Sequence, residues 1–269
     1  MSLSWGLNWV VLVGTAASLL SCAPSNGGNT TKAKAVLDCV LPADQVDTLT
    51  GYWEAPPIPI AFKEGDFTDS EMEAFRQAAD TWNAFFKESR GYPIFDYGSA
   101  AKPNQVAAVW VKGDRLCDSQ RIFFSGKFTG PAVIYKHRIW PYTSVPNAIA
   151  VTLVCHDLPL AKIKPSFMGT IEVNYEYFFG DGMKKPDLRS IALHELGHLL
   201  GLDHSCEGQA VIDAQAVLGK SLPDCTTDAY ADAVMFWSVL FSKDGVGERR
   251  HSLKENDQGR ANCLYTVKE

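Results

Sequence analysis

The stretch His194-Glu195-Leu196-Gly197-His198-Leu199-Leu200-Gly201-Leu202-Asp203-His204 decides the reading of this chain. His194 and His198 are four residues apart, so on a helix they share one face, one turn apart. Two imidazoles in that register can aim ring nitrogens at one zinc ion, at about 2.0–2.1 Å. Glu195 falls beside that face, within reach of a water on the metal. Gly201 tolerates positive φ and lets the backbone leave the helix, which can return His204 as a third ligand. Three protein ligands leave a fourth position for water, the pattern of a catalytic site and not a structural one. A lone histidine on an apolar helix face is usually a core residue. Three histidines and a glutamate in this register read as a metal centre.

At every defined position the stretch resembles the metzincin zinc-protease signature HExxHxxGxxH. Ser205 follows the third histidine, as it does in matrixins. The resemblance implies an α+β, metzincin-like zincin fold: a twisted mixed β-sheet, a long helix in the N-terminal half, a metal-site helix and a C-terminal helix. It implies one catalytic Zn²⁺ on His194, His198 and His204, with Glu195 as general base in peptide-bond hydrolysis. It also implies a methionine turn beneath the metal, and Ala233-Val234-Met235-Phe236 supplies Met235 as the best match. Met235 lies 31 residues after His204, farther than in most matrixins, so an insertion is expected around Glu207–Ala229. Trp237 and Val239 are expected in the wall of the pocket for the residue after the scissile bond. By the same likeness, Gly169–Tyr177 forms the sheet edge above the cleft. Glu172, Val173 and Asn174 would then seat substrate there as an added antiparallel strand.

Composition narrows the alternatives. The chain has 269 residues, 46% of them hydrophobic, enough for one sizeable globular domain after a leader is removed. Net charge is −6, with no basic block to neutralise phosphates, which argues against nucleic acid. Trp9–Leu20 is an apolar run at the start of the chain, too short to span a bilayer, and reads as a signal peptide. Leu19-Leu20-Ser21-Cys22 resembles the lipobox of bacterial lipoproteins, which implies cleavage before Cys22 and lipid on its thiol. The n-region departs from that pattern, because Met1–Asn8 has no Lys or Arg. Ala23–Thr31 is rich in Gly, Ser and Asn and reads as a flexible tether. The expected organisation is therefore residues 1–21 as signal peptide, 22–50 as lipidated cysteine and tether, and 51–269 as catalytic domain. The protein is expected to be exported and monomeric, anchored at the cell surface or in the periplasm, or else secreted.

Setting Cys22 apart from the 7 cysteines leaves an even set, Cys39, Cys117, Cys155, Cys206, Cys225 and Cys263. In an exported protein that suggests three disulfides. Cys206 and Cys225 flank the insertion and are expected to pair, leaving Cys117–Cys155 and Cys39–Cys263. A competing expectation for Cys39 is a latency thiol on zinc, as in matrixin propeptides.

Elsewhere, Ile58, Ile60 and Phe62 alternate after Pro56-Pro57, as an edge strand would. Thr68 and Glu71 form a capping-box pattern. Phe75, Ala78, Ala79, Trp82, Phe85 and Phe86 then recur at helical spacing up to Gly91. Val106–Val111, Ala132–Tyr135 and Ala148–Val154 read as strands. Pro186-Asp187 starts the motif helix, and Ser252–Glu255 suggests a cap for the last one. Matrixins carry a second zinc and calcium, but His137 and His156 stand isolated, and calcium near Asp181-Gly182 has no motif behind it. The expected partner is a protein or peptide substrate. Two other functions compete: a surface-anchored adhesion or binding protein that keeps a zinc site without turnover, and a zinc hydrolase of non-peptide substrates. Glu195 argues against the first, since a zinc site without turnover needs no base.

Overall fold

The computed structural model describes residues 7–9, 36–99, 101–111, 117, 130–156, 163–217 and 219–265. Most of the leader, the lipobox-like segment with Cys22, and the tether at residues 23–31 lie outside these.

The described strands are β1 (Leu7–Trp9), β2 (Gly51–Trp53), β3 (Ile58–Lys63), β4 (Phe95–Asp96), β5 (Gln105–Val106), β6 (Ala132–His137), β7 (Ala150–His156) and β8 (Lys164–Asn174). The helices are α1 (Asp69–Arg90), α2 (Leu188–Leu200), α3 (Gln209–Val217), α4 (Asp228–Ala231) and α5 (Glu255–Leu264). One mixed sheet runs β1-β7-β8-β6-β3-β4, with β2 also on β8 and β5 also on β3. Strands β3, β6 and β8 are mutually parallel, and β7 is antiparallel to β8. This is the expected α+β architecture.

The long helix α1 begins as its sequence dictates. Thr68 Oγ1 accepts from the Glu71 amide, and the Glu71 carboxylate accepts from the Thr68 amide at 2.8 Å. It ends where Gly91 takes φ 79°. Its stripe of Phe75, Ala78, Ala79, Trp82, Phe85 and Phe86 packs with Ile60, Phe62, Ile134, Ile171 and Val173 of the sheet and with the leucines of α2. Helix α2 shows no amphipathic stripe because every residue from Ser190 to Leu200 is buried. Four of its five leucines, Leu193, Leu196, Leu199 and Leu200, are fully buried, worth about 1.5–3 kcal/mol apiece. Two indoles tie it down. Trp82 Nε1 donates to Leu193 O at 3.0 Å, and Trp53 Nε1 donates to Leu199 O at 2.7 Å.

Several expectations need correction. Strand β8 is not an edge: β7 pairs along one side of it, β2 and β6 along the other. Glu172, Val173 and Asn174 are each fully buried in it and cannot seat a substrate strand. The antiparallel strand toward the sheet's margin is β7, whose outer side accepts β1 in antiparallel register, Asn8 opposite Thr152. Strand β3 is interior too, with β6 on one side and the short β4 and β5 on the other. Of Val106–Val111 only Val106 is in a strand. Val109 stands 85% exposed, so the apolar run has no partner strand to pair with.

The boundary at residue 50 is also wrong. Ala43–Thr48 forms a 3₁₀ turn, with Gln45 and Thr48 fully buried. Gln45 Nε2 donates to Ser205 O at 2.7 Å, and Leu49 bridges to Leu202. Residues 36–50 are thus part of the folded body. The cap of α5 sits at Lys254, whose amide donates to Asp257 Oδ2 at 2.9 Å, so the box pairs residue 254 with 257 and not Ser252 with Glu255.

Three disulfides join Cys39–Cys263, Cys117–Cys155 and Cys206–Cys225, as expected. Cys39 is therefore not a free thiol for zinc. Disulfides of this number point to an oxidising compartment. No described helix is long and apolar enough to cross a membrane.

Candidate metal centre

Three histidines converge because α2 and the turn after it are rigidly built. Asp187 caps α2, accepting from the Ser190 amide at 2.9 Å. His194 and His198 then project from one face with ring centroids 4.6 Å apart. Gly201 ends the helix at φ 111°, a conformation that other L-residues rarely take. A Cβ there would also meet Gly51 O at 1.8 Å, so glycine is required twice over. The turn returns His204, whose ring lies 5.3 Å from His194 and 4.9 Å from His198. One ring nitrogen of each histidine falls within 4.8 Å of the others.

Each Nδ1 is held by an oxygen acceptor, which fixes the tautomer. His194 Nδ1 donates to Val234 O at 2.8 Å, and His198 Nδ1 donates to Leu202 O at 2.7 Å. His204 Nδ1 meets the Glu207 carboxylate. The Nε2 atoms of His194 and His204 are left buried without a hydrogen-bond partner among the described residues. Buried polar atoms are rarely orphaned in this way, and three convergent imidazole nitrogens suit a zinc ion. The residues therefore fit the metal.

The electrostatics agree at two of the three rings. Burial, reinforced by His204, presses the His194 imidazole down to about 3. Burial likewise drives His198 well below the ordinary range. Both rings thus stay neutral, as a metal ligand must. Burial also disfavours the charged form of His204, but the Glu207 carboxylate more than offsets this and raises it.

Glu195 is 1% exposed, and its Oε1 has no hydrogen-bond partner among the described residues. Burial pushes its carboxyl up to about 7, with the Thr152 hydroxyl working the other way. A carboxylate so placed can take and return a proton near neutrality.

Met235 is fully buried against α2, so close that a Cβ on Gly197 would lie 2.2 Å from its Sδ. Its turn is held from both sides. Asp257 accepts from the Val234 and Met235 amides at 2.9 and 3.1 Å, and Met235 O accepts from the Ser205 amide at 2.8 Å. The expected insertion between His204 and Met235 contains α3 and α4, with Cys206–Cys225 across its neck.

A cleft beside His194 and Glu195 has Ile191, Val234, Phe236 and Val239 as apolar lining. Val239 is there as expected. Trp237 is not: its ring turns aside against Phe236. Glu248 and Arg250 also line the cleft and pair at 3.0 Å. His137 and His156 belong to other contacts. His137 Nε2 pairs with Glu172 Oε2 at 2.8 Å, and His156 Nδ1 with Ser166 Oγ at 3.1 Å.

Three polar residues of the site escaped the sequence reading. Glu207 backs His204. Arg260, fully buried, donates through Nη1 to Asp203 O at 3.0 Å and His204 O at 3.3 Å. Thr152 donates to Glu195 Oε2 at 2.7 Å. None lies in a motif that would single it out.

Comparison with known proteins agrees with the site. No curated protein matches the chain. The matrixin family model, Peptidase_M10, matches residues 57–220, more than half of the chain and the whole three-histidine motif. With that match, the α+β fold and the convergent histidines, the chain belongs to the matrixin family of metallopeptidases.

Proposed function

We propose that this matrixin is a zinc-dependent endopeptidase in which Glu195 is the general base. The observation that carries the reading is the convergence of three buried histidine ring nitrogens on α2 and its turn, with the Nε2 atoms of His194 and His204 and the Oε1 of Glu195 buried and without hydrogen-bond partners among the described residues. His194, His198 and His204 would hold the ion. Zinc, when bound, polarises a carbonyl oxygen and lowers the pKa of its water from 15.7 to about 7. Glu195 Oε1 takes a proton from the attacking water as the new C–O bond forms, and returns it to the leaving amine nitrogen as the C–N bond breaks. The Nδ1 acceptors keep the three rings oriented through both steps. Removal of the leader that carries Leu7–Trp9 would leave strand β7 as the edge on which an extended substrate pairs, and the antiparallel seating of Leu7–Trp9 supports this. The cleft of Ile191, Val234, Phe236 and Val239 would take the side chain after the scissile bond.

The wider setting is proposed on the sequence. Cleavage before Cys22 and lipid on its thiol would anchor a monomeric catalytic domain to a membrane, and the disulfides support an exported protein. Mass spectrometry of membrane fractions tests the anchor: an unmodified Cys22 would remove it.

Casein digestion by residues 23–269, made under oxidising conditions, tests the activity beside the Glu195→Gln variant with zinc counted in both. Cleavage by the parent alone, with one zinc in each, is expected. Equal cleavage by the Gln variant would reject Glu195 as base. Zinc in both with cleavage by neither would favour a binding protein without turnover.

A further inference from the structure

We propose that Thr152 is a positioning residue for the general base: its hydroxyl fixes one carboxylate oxygen of Glu195 and leaves the other to receive the proton. The inference rests on the endopeptidase reading and extends it to a second element, strand β7.

Thr152 is 1% exposed. Its Oγ1 lies 2.7 Å from Glu195 Oε2 and 3.3 Å from the Glu195 backbone oxygen. A hydroxyl has one hydrogen to give, and the shorter contact to the carboxylate takes it. Oε2 is thereby committed, while Oε1 stays buried with no hydrogen-bond partner among the described residues, on a side chain that lines the same cleft as His194. The terminal torsion of a glutamate is broad and roughly two-fold. Without an anchor the carboxylate can swing its free oxygen away from the metal, and misplacement by about 1 Å can cost roughly 100-fold in rate.

The sheet explains why this residue makes the contact. Side chains alternate along β7. Val151 and Leu153 pack on the far face with Trp140 and Tyr142, so Thr152 faces α2. Packing alone would be served by valine, which is nearly isosteric and carries a methyl group where threonine has its hydroxyl. Because β7 is also the edge proposed for substrate, one strand would index both the scissile bond and the base.

The test compares the zinc-loaded parent with Thr152→Val and Thr152→Ser. Each is measured by zinc content, casein kinetics and a crystal structure. The Val variant should keep one zinc and a KM within about twofold, yet lose about 10- to 100-fold in kcat. Its Glu195 carboxylate should rotate or split between two orientations. The Ser variant, smaller but still a donor, should recover kcat to within about threefold of the parent, with Glu195 in the parent's position. A Val variant with the parent's kcat, a Ser variant as impaired as Val, or an unmoved carboxylate in the Val crystal would overturn the proposal. Should the parent leave casein uncut, the endopeptidase reading fails, and the crystal structures still decide whether Thr152 sets the carboxylate.

Discussion

Replacing Arg260 with methionine should destabilise the metal-free domain by about 2–4 kcal/mol. The guanidinium is fully buried, and its Nη1 serves three acceptors: Thr48 Oγ1 at 3.0 Å, Asp203 O at 3.0 Å and His204 O at 3.3 Å. Two hydrogens shared among three acceptors amount to two charge-assisted bonds, at about 1.5–3 kcal/mol each. Asp257 and Asp203, both buried, also lose their compensating charge. Against this, methionine removes the buried Nε and Nη2, which have no acceptor among the described residues. Their removal offsets about 1–3 kcal/mol, which places the net at the lower end of the range for breaking a buried charge pair. At about 2–4 °C per kcal/mol for a domain of this size, Tm should fall by roughly 4–16 °C. Because Arg260 holds the carbonyls of Asp203 and His204, zinc affinity should also fall by about 10- to 100-fold. Urea unfolding of the metal-free variant and zinc competition with a chelator measure the two effects. A loss below about 1 kcal/mol with unchanged zinc affinity would refute the claim that this arginine holds the third ligand's backbone.

Gly201→Ala meets both positive φ and a contact 1.8 Å from Gly51 O, whereas Gly65→Ala meets φ 78° with nothing within 4 Å. The first should cost well over 2 kcal/mol and disturb zinc binding, the second about 1 kcal/mol; equal Tm losses would contradict the cause given. Replacing Cys206 and Cys225 by serine opens a staple of sequence separation 19 and should cost about 3 kcal/mol, with an unchanged Tm contradicting it. Burial raises Glu195 to about 7, and the base must be ionised to accept a proton. Activity should therefore fall about tenfold per pH unit on the acid side of that value. A bound cation favours the carboxylate and shifts this limb lower, so an acid limb centred above pH 8 would contradict the assignment.

How much was legible in the sequence follows the range of the interactions. The zinc motif is local: His194 and His198 are set by helical spacing, and Gly201 by a backbone requirement that glycine alone meets cheaply. The caps at Thr68 and Asp187 are local too, and so is the Cys206–Cys225 staple across its insertion. Sheet order is not local. Whether a strand pairs with one neighbour or two depends on distant parts of the chain, so the margin expected at β8 lies toward β7 instead. Buried polar residues are harder still. Gln45, Thr48, Thr152 and Arg260 look like surface residues in the sequence. They are buried only because acceptors and donors 43 to 212 residues away satisfy them. For the same reason residues 36–50 passed as tether.

The most direct measurement is zinc-edge X-ray absorption on the zinc-loaded protein at neutral pH. Three imidazole nitrogens and one oxygen from water, at about 2.0–2.1 Å, are predicted. A sulfur in the shell, or only two imidazoles, would contradict a centre built from His194, His198 and His204.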